Sequence, residues 1–388
     1  MVSLDKAVLL VGKNSSKIDL SITLLLLVVA LLLDLCAFGE LLLSDQTAYW
    51  LIKHKKTAML QIIKRIRPMI PANWGRKGKR CSKTLEQLSL LSFSLATRKN
   101  PLFCLRILKL LGIEETVEIY WYKSITTPPD QSSWEDLPEL FVREVTAIRS
   151  WAESNDKGTD LKTLYGRRGG LALEKYDLSS DLEWSVTMEF EQSILVWHLA
   201  TEISHQLEYR GPPDERDLVM FVRARGKNMS RYMLYLLIEH PNMLPIGRGQ
   251  IKFRDLYSDL GNFIERIISK PFKDVTEKEA SEKLEAMGKD GNMLVEGGDM
   301  SKLVISKGCE LASALEELRE ATKWIIISDV WMEMLCHAAS HCKGRIHAQQ
   351  LRRGGEYLTH LWLLMAHLGY TDHFQIPRSR AIAKAVLR

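Results

Sequence analysis

Cysteine is scarce in this chain, and none of its six residues, Cys36, Cys81, Cys104, Cys309, Cys336 and Cys342, forms a Cys-x-x-Cys pair. This argues against a disulfide scaffold and for a reducing compartment, with the thiols acting as small hydrophobes. No Gly-x-x-x-x-Gly-Lys-Ser/Thr phosphate loop, Gly-x-Ser-x-Gly elbow, His-Glu-x-x-His helix or kinase motif set occurs. Gly247-Arg248-Gly249 lacks the third glycine and the preceding strand of a dinucleotide loop. No motif therefore points to nucleotide chemistry. Strand signals are sparse and no repeat of fixed period is present, which points away from β architectures and solenoids. Acids are missing altogether between Asp45 and Glu86.

What is present is helical and unevenly charged. The 388 residues are 46% hydrophobic and 26% charged, enough for one or two domains with real cores. The chain carries a net +12 through Gly112 and −7 beyond it. Leu20 to Leu33 is a 14-residue run without a charge, and tolerating Asp34 and Glu40 extends it to Leu43. That length is enough to cross about 30 Å of hydrocarbon. One transmembrane helix is the reading, with a cleavable signal peptide as the rival, because lysines precede the run and Ala37 and Gly39 are small. The sequel favours the span: Tyr49 and Trp50 suit an interface, and Lys53 to Lys83 holds eleven Lys and Arg, a collar that places the C-terminal part in the cytoplasm. Membrane lipid is thus one expected partner, through the span and the collar. Glu40 reads as interfacial and Asp34 as the one acid inside. Asn14-Ser15-Ser16 fits a glycosylation acceptor, a triplet common by chance.

The fold class predicted is all-α, a single N-terminal transmembrane helix followed by a cytoplasmic helical domain. Residues 1–17 are a tail, 18–45 the span, 46–177 a basic juxtamembrane and helical region, 178–270 helical, 271–304 a polar loop, 305–372 a C-terminal helical domain and 373–388 a tail. Within these, Thr57 to Arg67 is a short basic helix ended by Pro68, Leu102 to Leu111 is amphipathic, and Trp134 to Ile148 resumes helical spacing after the turn Thr127-Pro128-Pro129-Asp130. Lys157 to Gly170 reads as a connection. Ile194 to Leu207, Met229 to Ile238 and Phe253 to Ile268 are helices, the second stopped by Pro241. Within the polar loop a helix at Thr276 to Met287 is the one element entertained.

From Trp324 to His341, Trp324, Ile327, Trp331, Met334, Leu335 and Ala338 share one arc of a helix, while Asp329, Glu333, His337 and Ser340 share the other and read as solvated. A basic, glycine-containing break follows, then an almost wholly apolar helix from Glu356 to Leu368, expected to be buried nearly all round. Trp324, Val330-Trp331-Met332-Glu333-Met334-Leu335, Ala338-Ala339, His347-Ala348, Gly354-Gly355-Glu356 and Leu361-Trp362-Leu363-Leu364 resemble, in order and spacing, the plant domain of unknown function 594. Ile194 to Glu202 and Ser230 to Leu237, followed by Pro241-Asn242-Met243-Leu244, resemble segments that precede it in its relatives. The resemblance covers about half the chain. It implies an upstream membrane region, domain of unknown function 4220, of which this chain looks like a shortened version, and it implies no activity.

Six of the ten histidines lie between His337 and His373. Glu202 and His205 stand at i, i+3, the spacing of di-metal bundles, and Glu333/His337/His341 and Glu356/His360 are spaced by four. Three helices projecting these groups inward would make a membrane-bound metal-dependent enzyme. The plainer reading makes His360 and His367 core imidazoles and Glu356 a structural acid at the start of the last helix. Trp197, Trp324, Trp331 and Trp362 read as core anchors. No catalytic residue is assigned, no metal, cofactor, nucleotide or nucleic acid is expected, and the leading function is a membrane-anchored interaction or scaffold module with an unidentified protein partner.

Overall fold

A computed structural model describes residues 22–28, 30, 31, 34, 86–99, 142, 150, 168–246, 253–268, 270–290, 300–352 and 355–367. The chain divides into two compact units, Met1–Arg80 and Cys81–Arg388. In the first, residues 22–28, 30, 31 and 34 are helical with exposed side chains. No helix among the described residues is long and apolar enough to cross a membrane. Most of the stretch from Leu20 to Leu43, the basic collar, the helices expected at Thr57 to Arg67 and Leu102 to Leu111, almost all of Trp134 to Ile148, Gly247 to Gly249 and the tail at 373–388 lie outside the described residues.

Every regular element among the described residues of the second unit is helical, so the fold is all-α there. The helices are α1 (Leu90–Lys99), α2 (Gly170–Lys175), α3 (Ser179–Thr187), α4 (Phe190–Gln206), α5 (Arg216–Glu239), α6 (Phe253–Ile267), α7 (Glu277–Asp290), α8 (Met300–Glu316), α9 (Glu320–His341), α10 (Gly344–Arg352) and α11 (Tyr357–His367). One hydrophobic core runs through them from Leu88 to Met365. At its centre α4 packs on α8 and α5, and α5 packs on α9; α1 lies on α6, α7 on α8 and α11 on α9. Proline sets both ends of α5. Pro212 and Pro213 lead into it through a 3-10 turn, and Pro241, which has no amide donor, follows its last turn.

Several boundaries differ from those the sequence suggests. α5 begins at Arg216, not Met229, because Arg223 and Arg225 find partners inside the body. The polar stretch 271–304 holds α7, where the sequence allows a helix at Thr276 to Met287, burying Ala280 and Leu284, and it also holds the start of α8, which the sequence does not suggest. The basic break before Glu356 contains α10, with His347 and Gln350 buried.

The burial of the last helices is also reversed. All of residues 326–339 in α9 are buried, Asp329, Glu333 and His337 of the supposed solvated arc included, with Glu333 only 1% exposed; Ser340, the fourth member, is half-buried. That arc is covered by α2 and the residues before it, whose amide groups need an acceptor. By contrast α11 has one buried side, with Leu363 38% exposed and His367 at the surface. An apolar face needs no partner of its own polarity, so composition alone overstates its burial.

Candidate functional site

α5 is the hub of the buried polar groups. Its Ser230, Arg231, Tyr232 and Tyr235 reach towards α4 on one side and α11 on the other. On the α4 side, Arg231 grips Glu202 in a bidentate pair at 2.6 and 2.8 Å, and the Ser89 hydroxyl donates to the same carboxylate at 2.5 Å. Burial alone would push the Glu202 carboxyl up, but the Arg231 guanidinium holds it well below the ordinary carboxylate range. His198 Nε2 accepts the Leu90 amide at 3.1 Å, so its other nitrogen carries the proton and donates to Ser230 Oγ at 2.9 Å. Burial pushes this imidazole down to about 4. Ser89 is the N-cap of α1: its oxygen accepts the Ser92 amide at 3.2 Å.

On the α11 side, Tyr232 donates to Glu356 at 3.2 Å and accepts the Leu358 amide at 3.0 Å, tying the start of α11 to α5. His240, which follows α5, stands 3.4 Å from the other Glu356 oxygen and 3.1 Å from the Tyr235 hydroxyl. Glu356 and His240 both keep some solvent access. Burial, followed by the charge of Glu356, pushes both tyrosines well above the usual phenol range and keeps their hydroxyls protonated.

α9 supplies two further buried charges. Glu333 accepts the amides of Gly169, Leu171 and Ala172 at 2.8, 3.2 and 2.6 Å, closing the N-terminus of α2. Gly169 has φ +108°, and a Cβ there would meet Val330 Cγ1 at 2.9 Å, so only glycine brings this backbone to the carboxylate. Asp329 beside it pairs with Lys175 at 3.1 Å. Lys323 lies 2.9 Å from each of Glu316 and Glu320, deep in the body.

The carboxylate and imidazole sets suggested by helical spacing do not converge. Glu202 turns to Arg231, whereas His205 lies edge-on to Trp324 at 6.3 Å with its buried Nδ1 unbonded. His337 rests against His341 and Phe190, 4.0 and 4.9 Å between ring centres, while Glu333 caps α2. His360 bonds to the backbone oxygen of Glu356 at 2.9 Å, not to its carboxylate. His367 is a surface residue and not a core imidazole. Among the described residues no group of three His, Cys, Asp or Glu is placed to hold a metal ion. Trp197, Trp324, Trp331 and Trp362 are all buried, as their spacing predicts.

Helical spacing gives no role to Ser89, Lys323 or His240, and His198, Arg231, Tyr232 and Tyr235 stand out only as part of the segments that resemble relatives. One signal was available, a serine directly before the apolar run Leu90-Leu91, which is an N-cap pattern. His347 was noticed only within the resemblance. It bridges α9 to α11, bonding the Ala339 carbonyl and the Thr359 hydroxyl at 3.1 Å each and stacking on Trp362 at 4.5 Å.

Two family models match. Residues 316–370 match the model described as protein of unknown function, DUF594, which spans α9, α10 and α11, and residues 2–93 match domain of unknown function DUF4220. The chain therefore carries both domains that its sequence resembles. Curated proteins and solved structures give no match.

Proposed function

We propose that a chain carrying these two domains of unknown function is a membrane-anchored helical module whose cytoplasmic body binds another protein, and is not an enzyme. The observation that carries this reading is the engagement of the candidate catalytic acids within the body: Glu202 by Arg231 and Ser89, Glu333 by three backbone amides, Glu356 by Tyr232 and His240. Groups held this way tie helices together: Glu202 and Glu333 are buried among their partners, and Glu356 links α11 to α5. The anchor rests on the apolar run from Leu20 and the eleven basic residues that follow it, a pattern that holds a span in place and attracts anionic lipid.

Three measurements on the full chain test the reading. Carbonate washing should leave it in the membrane pellet, and release would remove the anchor. In sealed vesicles with the cytoplasmic side out, a tag at residue 388 should be cut by added protease and one at residue 1 protected; the reverse pattern overturns the orientation. Elemental analysis of detergent-purified protein should find no stoichiometric iron or zinc. Finding either would transfer the reading to the membrane-bound metal-dependent enzyme.

A further inference from the structure

The DUF4220 match ends at residue 93, yet residues 88–93 are part of the core of the unit Cys81–Arg388. Leu88, Leu90, Leu91, Phe93 and Leu95 are all buried, and Phe93 packs against Phe253 and Tyr257 with ring centres 5.2 and 4.8 Å apart. α1 is ten residues long, below the length at which a helix holds itself in water, so the site it occupies must supply its order.

We propose that α1 is a docking helix that plugs the end of the DUF4220 region into a groove formed by α4, α6, α7 and the turn Phe272–Asp274, with the Arg231 carbonyl of α5 at its entrance, and that this groove is a helix-binding site. The receiving groups are held in place from behind. Arg231 fixes Glu202, which takes the Ser89 hydroxyl, and Ser230 fixes His198, which takes the Leu90 amide. The Leu88 amide bonds to the Arg231 carbonyl at 3.2 Å. These bonds read the N-cap end of the incoming helix and set its register, while the apolar side chains fill the groove. Further along, Ser94 donates to the Tyr257 carbonyl at 2.8 Å beside Gly261, where a Cβ would come within 3.1 Å of the serine oxygen. Lys99 closes the far end on the Val275 carbonyl at 2.6 Å. A site whose acceptors keep their partners when the helix leaves is prepared for rebinding, because little ordering remains to be done.

The test uses the full chain with a protease site inserted at Thr127-Pro128-Pro129-Asp130, between α1 and α2, cut in detergent and run on size exclusion. The two pieces of the parent should stay together at micromolar concentration. Phe93→Ala should weaken their association by at least about 100-fold, the size expected for emptying a large buried aromatic site. Ser89→Ala, which removes only the hydroxyl, should weaken it several-fold while circular dichroism of the uncut protein is unchanged. Separation of the parent's pieces overturns the proposal, as does a Phe93→Ala protein whose pieces hold as tightly as the parent's. Should Phe93→Ala not fold, the Ser89→Ala pair decides, and an unaltered affinity there overturns it.

Discussion

Glu333→Gln, followed by urea unfolding between pH 5 and pH 8, asks how a buried carboxyl is held by backbone amides alone. Glu333 is 1% exposed, takes three N-H donors and has Asp329 nearby. Burial pushes its carboxyl up to about 7 from an ordinary 4.5, the three amides pull the other way, and Asp329 adds to the rise. An acid whose folded value is raised binds more protons folded than unfolded, so its contribution to stability is full below about 4.5 and is lost as the pH rises to about 7. At about 1.4 kcal/mol per unit, the full loss is about 3.5 kcal/mol. Glutamine keeps an acceptor for the amides and has nothing to titrate. Expressed as parent minus variant, stability should therefore fall by about 2.5 kcal/mol between pH 5 and pH 8. Taking the difference cancels the titration of His198 and His205. A difference that is flat, or that grows with pH, would show that the three amides outweigh burial and keep Glu333 ionised, refuting the reasoning.

Trp331 is fully buried with its Nε1 3.0 Å from Thr201 Oγ1, so Trp331→Ala should cost about 3 to 5 kcal/mol in urea unfolding, and a cost under about 1 would misplace the α9 core. His198 stays neutral in the fold down to about 4 against an ordinary 6.5, so the unfolded chain takes up a proton first and stability is lost as the pH falls from 6.5 to 4. His198→Gln should make that acid slope shallower, and an unchanged slope would contradict it. Lys323→Met leaves Glu316 and Glu320 buried without their cation and should cost about 3 to 5 kcal/mol, measured the same way; near-neutrality would show that the two acids do not depend on it.

The helices most legible in the sequence were those with strong apolar spacing. Ile194 to Leu207, Phe253 to Ile268, Trp324 to His341 and Glu356 to Leu368 lie within a few residues of α4, α6, α9 and α11. Less legible were residues 216–228 of α5, α2 and α10, where charges and glycines dilute the period. Arg223 is an example: it falls outside every helix the spacing suggests, yet it is buried with its guanidinium on the carbonyls of His205 and Leu207 and over the Trp324 ring at 5.4 Å. The acids picked out at Glu202, Glu333 and Glu356 do mark buried or partly buried polar clusters. The histidines at helical spacing from them meet other groups, His360 bonding a backbone carbonyl as the plainer reading expects, because a spacing of three or four residues places two groups on one face without saying which longer-range neighbour reaches them first.

By itself the sequence determined the all-helical class, the apolar faces of the main helices, the burial of the four tryptophans and the resemblance to the two domains, because each is written in local spacing and residue type. Only the tertiary structure decided what the polar groups meet. Ser89 reaches Glu202 across 113 residues of chain, and Gly169 reaches Glu333 across 164. Contacts that distant are selected by the need to satisfy every buried donor and charge at once, a condition on the assembled body that no window of sequence contains.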